Sequence, residues 1–155
     1  EGEGRNAVYA AECGWEVDAL DFSTDGRRKA LALAAQRNVI INYQITDFTI
    51  FKTAERYDAI AFIFAHLAPA LQSAYRNYRA FLKPGGRIIA EFFNKNQLGK
   101  SSGGPKNSDW LYTAEYLREI FNDLEIEYLE EVETPLHEGV HVGAASTVRL
   151  VARKV

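Results

Sequence analysis

The chain opens with Glu1-Gly2-Glu3-Gly4-Arg5-Asn6-Ala7, the stretch from which its architecture can be inferred. A glycine turn leads directly into an Ala-rich helical run. Glycines let the backbone approach a ligand closely, and a helix N-terminus offers free N–H groups. We therefore expect an α/β protein that holds an adenosine-containing cofactor at this turn. No strand precedes the turn, so we expect the sequence to begin inside a motif whose first strand is missing.

Two acidic residues follow predicted strands. Residues 15–21 have the pattern of a strand that ends at Asp21, whose carboxylate can accept hydrogen bonds from both ribose hydroxyls of an adenosine. Residues 39–46 predict a second strand, followed by Asp47 and Phe48. Asp47 would bond the adenine amino group, and Phe48 would pack on the ring. The alternative for each aspartate is a turn or helix-capping residue.

Helical and strand periods alternate along the rest of the chain. The expected order is helix 5–13, strand 15–21, helix 25–36, strand 39–46, strand 57–64, helix 69–82, strand 87–93, helix 113–122 and strands 124–134 and 145–154. The last two strands have no helix between them, which implies an antiparallel hairpin. The predicted fold class is α/β: a Rossmann-like, doubly wound, mostly parallel sheet with an antiparallel C-terminal hairpin.

Three segments carry further expectations. Residues 57–64 are nearly all apolar, as expected of a central parallel strand buried on both faces. Lys83-Pro84-Gly85-Gly86 would end helix 69–82 and turn tightly into the next strand, because glycine supplies a positive φ. Residues 94–109 are polar and glycine-rich, which indicates a mobile lid over an acceptor or a disordered connector.

Composition narrows the class of protein. With 155 residues, of which 47% are hydrophobic, the chain can build one domain over residues 1–155. The single cysteine, Cys13, fits a reducing, cytoplasmic compartment, and we expect it to be a small core residue. A net charge of −3 gives no overall basic surface for nucleic acid. No apolar run approaches the ~20 residues of a membrane span. We expect a monomer or homodimer.

The histidines are the candidate catalytic groups. His66 lies just past strand 57–64, where it could contact substrate, act as a general base or simply bond to the backbone. His137 and His141 have a spacing that suggests metal, but four extended residues span roughly 13 Å, too far for one ion. We therefore predict no metal site and expect His141 to face the acceptor.

Several segments together resemble a known family. EGEGRNAVYAAECGWEVDALDFS, ITDF, YDAIAFIFAHL and LKPGGRII look like the successive motifs of class I S-adenosylmethionine-dependent methyltransferases. The form GEGRN, with HEG near the C-terminus, is similar to the tellurite-resistance and thiopurine methyltransferase-like branch. The resemblance covers nearly the whole chain and implies S-adenosylmethionine as the cofactor.

The resemblance also implies roles for individual residues. Gly2 and Gly4 would line the methionine and ribose portion of the cofactor, and Phe22 would lie against the adenine. The segment from residue 63 to residue 66 would touch the methionine end. The implied cofactor-binding residues are Gly2, Gly4, Arg5, Asn6, Asp21, Phe22, Asp47, Phe48 and Phe64.

The predicted reaction is transfer of the sulfonium methyl group to a small-molecule acceptor, with His66 and His141 as the candidate catalytic residues. Because the chain offers few other bases, a sulfur, selenium or tellurium acceptor is favoured, since a thiolate needs no base. Two alternatives remain: an NAD(P)-dependent oxidoreductase that uses the same glycine turn, and a non-catalytic S-adenosylmethionine-binding module.

Overall fold

Helices separate the strands of the chain except after residue 45, where one strand follows another, and from residue 125 onward, where two strands form a hairpin. The computed structural model describes residues 1–138 and 141–155, without the side chains of Glu138 and His141. The elements are α1 (Arg5–Glu12), β1 (Asp18–Asp21), α2 (Thr24–Gln36), β2 (Asn42–Ile45), β3 (Tyr57–Ile63), α3 (Ala74–Asn77), β4 (Leu82–Phe93), α4 (Ala114–Ile120), β5 (Glu125–Glu138) and β6 (His141–Arg153).

The described chain divides into two compact units, Glu1–Lys52 and Thr53–Val155. Each unit has its own sheet: β1 and β2 form the first, and the other four strands form the second in the order β3-β4-β6-β5. The single domain expected from the sequence stays a prediction.

In the first unit, β1 and β2 pair in parallel, from Asp18 opposite Asn42 to Asp21 opposite Ile45. Small residues dominate the core that α1 and α2 form on these strands, which lets the two helices come close together. The buried members are Ala7, Val8, Ala19, Ala30, Ala34, Ile41 and Tyr43.

The ends of the first two helices follow from local chemistry. The Ser23 hydroxyl caps α2 by accepting a 2.9 Å hydrogen bond from the Gly26 N–H. Gly14, at φ 90°, follows α1 in the left-handed region. The expectation that Cys13 is a core residue is wrong, because Cys13 lies past the last turn of α1 and is exposed.

The second unit contains a mixed four-stranded sheet. β3 and β4 are parallel, and β6 is antiparallel to both β4 and β5. The predicted α/β class with parallel strands and an antiparallel C-terminal hairpin is therefore confirmed. The hairpin strands are longer than expected, because most of residues 135–143 continue the ladder instead of forming a separate connection.

The prediction of one continuous helix over residues 69–82 is wrong. The segment contains the single α-helical turn α3 between two short 3-10 segments, Pro69–Leu71 and Tyr78–Phe81. Tyr75 and Tyr78 both place their rings 5.1 Å edge-on to Phe62. Aromatic packing on β3 has therefore overridden a regular helical ladder, as tertiary contacts often do for short helices.

β3 does not have the burial that its apolar sequence suggested. Of its residues only Phe62 is buried, because β3 is an edge strand of the second sheet. The glycine pair before the next strand lies inside β4 itself, where the register shifts between Tyr57 and Ala59. Gly85 has the expected positive φ, 79°.

Candidate functional site

The Asp21 carboxylate is the best-defined polar group at the carboxyl end of β1. One of its oxygens accepts a 2.8 Å hydrogen bond from the Gly2 N–H, and the other accepts a 2.9 Å bond from the Ser23 N–H. Burial acts to raise the pKa of Asp21, but the hydrogen bonds from the Gly2 and Ser23 N–H groups act to lower it, and the net shift is downward. The side chain remains 21% exposed.

A carboxylate with these bonds still has capacity for a ligand. Its two oxygens offer about four lone-pair positions, and backbone N–H groups use only part of them. The Gly2 and Ser23 N–H groups are both donors, so they stabilise the ionised form of Asp21. The geometry therefore fits an acceptor for hydroxyl groups, as the sequence predicted for Asp21.

Tyr43 supports the same turn and was missed in the sequence analysis. Its hydroxyl donates a 2.7 Å hydrogen bond to the Gly2 carbonyl. Burial, with the charges of Asp21 and Glu1, raises the pKa of Tyr43 to about 12, so the donor stays protonated. A tyrosine within a short apolar strand was the only sequence signal for this contact.

The two glycines of the opening turn differ in the space that surrounds them. A Cβ atom on Gly4 would lie 2.4 Å from the Cβ of Ala30, so Gly4 allows α1 to pack on α2. A Cβ on Gly2 would meet nothing within 4 Å. Gly4 is thus needed for helix packing, and the assignment of both glycines to the cofactor stays a prediction.

The N-terminus of α1 already holds a carboxylate. Glu1 accepts a 3.1 Å hydrogen bond from the Ala7 N–H through its side chain. A dinucleotide would place its pyrophosphate on the free N–H groups at such a helix start. Because Glu1 occupies one of these groups, the geometry counts against the nicotinamide alternative.

The loops after β1 and β2 lie side by side, because the Thr46 N–H donates to the Asp21 carbonyl. Asp47 is exposed, and it accepts bonds of 2.8 and 2.7 Å from the backbone and hydroxyl of Thr49, which lower its pKa. Phe22 is 75% exposed. Phe48 is half-buried, and Arg5 and Asn6 are exposed on the first turn of α1. Their roles toward a cofactor stay predictions.

In the second unit, the chain bends at Phe64, just after β3. Phe64 has φ 50°, in the left-handed region, and its ring stacks on Phe93 with centroids 4.6 Å apart. A non-glycine residue there costs about 1–2 kcal/mol, and such positions often cluster at functional sites. The N–H of Phe64 donates a 2.8 Å bond to the Glu91 carbonyl, which ties the turn to β4.

Both ring nitrogens of His66 are bonded to backbone groups. Nδ1 lies 2.8 Å from the Trp110 carbonyl, and Nε2 accepts a 3.1 Å bond from the Phe93 N–H. The sequence left three roles open for His66, and this geometry supports the one in which its ring bonds to backbone groups of a loop. With both nitrogens used in this way, the ring has no lone pair with which to act as a general base.

The structure describes the other two histidines to different extents. The side chain of His141 lies outside the described part of the chain, so its predicted role stays a prediction. His137 is exposed on β5. Within the part of the chain that the structure describes, no group of three or more His, Cys, Asp or Glu could hold a metal ion.

The polar segment 94–109 is anchored near its middle. Gln97 is buried; it accepts a 2.8 Å bond from the Ser146 N–H and donates one of 2.8 Å to the Ser102 hydroxyl. Ser102 in turn donates a 2.7 Å bond to the Ala144 carbonyl. These bonds attach the segment to β6, so the alternative of a disordered connector is wrong, and the mobile lid stays a prediction.

Comparison with protein families identifies the chain. The family described as "Methyltransferase domain" matches residues 1–86, more than half of the sequence, and the chain belongs to this family. No curated protein matches it.

Solved structures share the fold at low sequence identity. TehB from Haemophilus influenzae has a TM-score of 0.76 and 19% identity over 99% of this chain, which spans 55% of that protein's length. An S-adenosylmethionine-dependent methyltransferase from Methanosarcina mazei gives 0.77 and 15%, covering 99% of this chain and 89% of that one. The N-methyltransferase NodS from Bradyrhizobium japonicum, in complex with S-adenosylhomocysteine, gives 0.71 and 16%, covering 98% and 73%.

By family the chain is a methyltransferase domain, and its fold is that of S-adenosylmethionine-dependent methyltransferases. Among the described residues, no helix is both long and apolar enough to cross a membrane.

Proposed function

We propose that this chain transfers the methyl group of S-adenosylmethionine to a small-molecule acceptor. The observation that carries the proposal is the Asp21 carboxylate, ionised and partly exposed at the carboxyl end of β1. Ligands bind outside the carboxyl ends of the strands in open α/β sheets, and an acidic residue there suits the two ribose hydroxyls.

Neighbouring residues of the first unit supply the rest of an adenosine site. Asp47 follows β2, the parallel partner of β1, and carries a carboxylate suited to the adenine amino group. Phe22 exposes a ring next to Asp21, and a planar base could cover it. The cofactor supplies a sulfonium methyl group with a good leaving group. The protein therefore has to bind, orient and desolvate rather than activate.

His66, in the second unit, provides an argument about the chemical class of the methyl acceptor. The His66 ring has no lone pair available for a proton, because Nε2 already accepts from Phe93 and Nδ1 faces a carbonyl. An acceptor that arrives deprotonated needs no base. We therefore place a thiolate, or a selenium or tellurium anion, ahead of an alcohol or amine, in line with the tellurite-resistance and thiopurine branch that the sequence resembles. His141 is the remaining candidate base.

Calorimetric titration tests the cofactor. S-adenosylhomocysteine should bind with a micromolar dissociation constant, and NADH and NADPH should not bind in parallel titrations. Binding of a nicotinamide cofactor alone would overturn the proposal. Binding of S-adenosylhomocysteine without methyl transfer to any acceptor tried would favour the non-catalytic module.

The acceptor class is tested by methyl transfer to matched thiol, amine and alcohol compounds. We expect thiols to react and the rate to rise with pH as the thiol ionises. The same profile should persist in His141→Ala. Turnover of alcohols or amines alone would contradict the soft-acceptor proposal, and loss of the profile in His141→Ala would identify His141 as a base.

A further inference from the structure

We propose that His66 is a positioning residue: in its Nδ1–H tautomer it clamps the segment after β3 to the end of β4 and to Trp110. The inference rests on the proposed function, because residues 63–66 form the segment that the family resemblance assigns to the methionine end of the cofactor. The clamp would hold this segment in the conformation that methyl transfer requires.

The two hydrogen bonds of His66 specify one protonation state. A carbonyl can only accept, so the 2.8 Å contact with Trp110 requires a proton on Nδ1. A backbone N–H can only donate, so the 3.1 Å contact with Phe93 requires a lone pair on Nε2. The other neutral tautomer would lose both bonds, and the imidazolium would lose the bond from Phe93.

Aromatic rings hold the imidazole in this orientation. It stacks on Tyr112 at 5.4 Å with a 24° angle between the planes, and on Phe93 at 5.7 Å with 15°. Phe92 packs edge-on at 5.5 Å. A ring packed on these sides cannot swing toward a substrate without losing its contacts, which suits a clamp better than a proton carrier.

Other side chains hold the rest of the segment. The Tyr75 hydroxyl donates a 2.5 Å bond to the Ala65 carbonyl. Leu67 is held at both backbone groups: its N–H donates a 3.2 Å bond to the Tyr112 hydroxyl, and its carbonyl accepts a 3.1 Å bond from Gln72. Beyond Phe64, residues 65–67 are therefore held by side chains instead of by a strand or helix ladder.

This arrangement explains why the segment can matter for rate without supplying a reacting group. The left-handed Phe64 begins the bend, and His66 ties the residues after the bend to β4. A displacement of about 1 Å in such a positioned segment can cost on the order of a hundredfold in rate.

Three variants of His66 test the clamp. His66→Gln keeps an oxygen that can accept from the Phe93 N–H, and His66→Asn keeps a nitrogen that can donate to the Trp110 carbonyl. His66→Ala keeps neither. We expect kcat at saturating substrates to fall roughly ten- to a hundredfold in His66→Ala and to be partly restored in both amide variants.

Three outcomes would overturn the inference. Equal inactivity of the Gln, Asn and Ala variants would indicate a base. An unchanged kcat in His66→Ala with a lowered melting temperature would indicate a purely structural residue. A nitrogen NMR signal showing a protonated Nε2 in wild-type protein at neutral pH would exclude the tautomer.

The NMR readout separates this inference from the proposed function. If wild-type protein binds no S-adenosylhomocysteine, the proposed function fails, and with it the role of His66 in methyl transfer. The Nδ1–H signal would then still decide whether the clamp itself exists. If wild-type protein binds the cofactor product and transfers methyl groups, the three variants decide the positioning role.

Discussion

The carboxyl ends of β1 and β3 use polar side chains in opposite ways. Asp21 holds its own loop through bonds from Gly2 and Ser23 and remains partly exposed. His66 also holds its loop, but its two nitrogens are both used. A carboxylate has about four acceptor positions, whereas a neutral imidazole has one donor and one acceptor nitrogen, so only the carboxylate can shape its loop and still bind a ligand.

We propose ligand binding for the end of β1 and loop positioning for the end of β3. The chemistry of each side chain follows from its hydrogen-bond partners. Burial opposes the charge of Asp21, but the N–H groups of Gly2 and Ser23 donate to its carboxylate and favour that charge. His66 has one donor and one acceptor, which favour a neutral ring.

In the glycine turn beside Asp21, substitution by alanine should destabilise the protein more at Gly4 than at Gly2. Gly4→Ala should lower the free energy of unfolding by roughly 2–5 kcal/mol, because the new Cβ overlaps Ala30 and φ is 88°. Gly2→Ala should cost about 1–2 kcal/mol from its positive φ alone. Urea unfolding measures both, and equal costs would contradict the packing role of Gly4.

Removing the carboxylate at the end of β1 should weaken cofactor binding. Asp21→Ala should reduce S-adenosylhomocysteine affinity by ~1–3 kcal/mol, since two hydroxyls lose a charged acceptor. Asp18→Ala, at the opposite end of the same strand, is the matched control and should bind normally. Calorimetry of the two variants checks this, and an unchanged affinity in Asp21→Ala would remove Asp21 from the site.

Loss of a single hydroxyl should loosen the end of β3. Tyr112→Phe leaves the buried N–H of Leu67 without its acceptor and should cost about 1–2 kcal/mol of unfolding free energy. Tyr128→Phe is the control, because that side chain is exposed and its cost should stay within about 0.5 kcal/mol. Thermal unfolding compares them, and similar costs would argue against the network around Leu67.

Acid should remove the contribution that the ionised Asp21 makes to stability, and this effect should be small. Its pKa in the folded protein is lowered from 3.8, so its ionised form contributes stability above that value. This contribution is lost as the pH falls through the lower folded pKa. The stability difference between wild type and Asp21→Asn should therefore shrink in acid. Melting temperatures between neutral pH and the acid range measure it, and a constant difference would contradict the assignment.

Local sequence patterns were sufficient to predict those features that depend on residues close together along the chain. Ser23 and Thr113 cap helices in this way, because the hydroxyl of each accepts a bond from an N–H only three residues ahead. The C-terminal hairpin is confirmed. Asp21 was placed correctly at the end of a strand, because a strand period followed by a turn is a local pattern.

Contacts between residues that are far apart in the sequence decided the features that could not be predicted. The broken helix over residues 69–82 depends on Phe62, and the exposure of β3 depends on which strands flank it. The partners of His66 lie 27 and 44 residues away, which no local pattern encodes. The sequence thus determined the class of site, because short-range periodicity shows where strands end and which residues follow them. The hydrogen bonding of each side chain was decided only by the tertiary structure, because folding brings its partners within range.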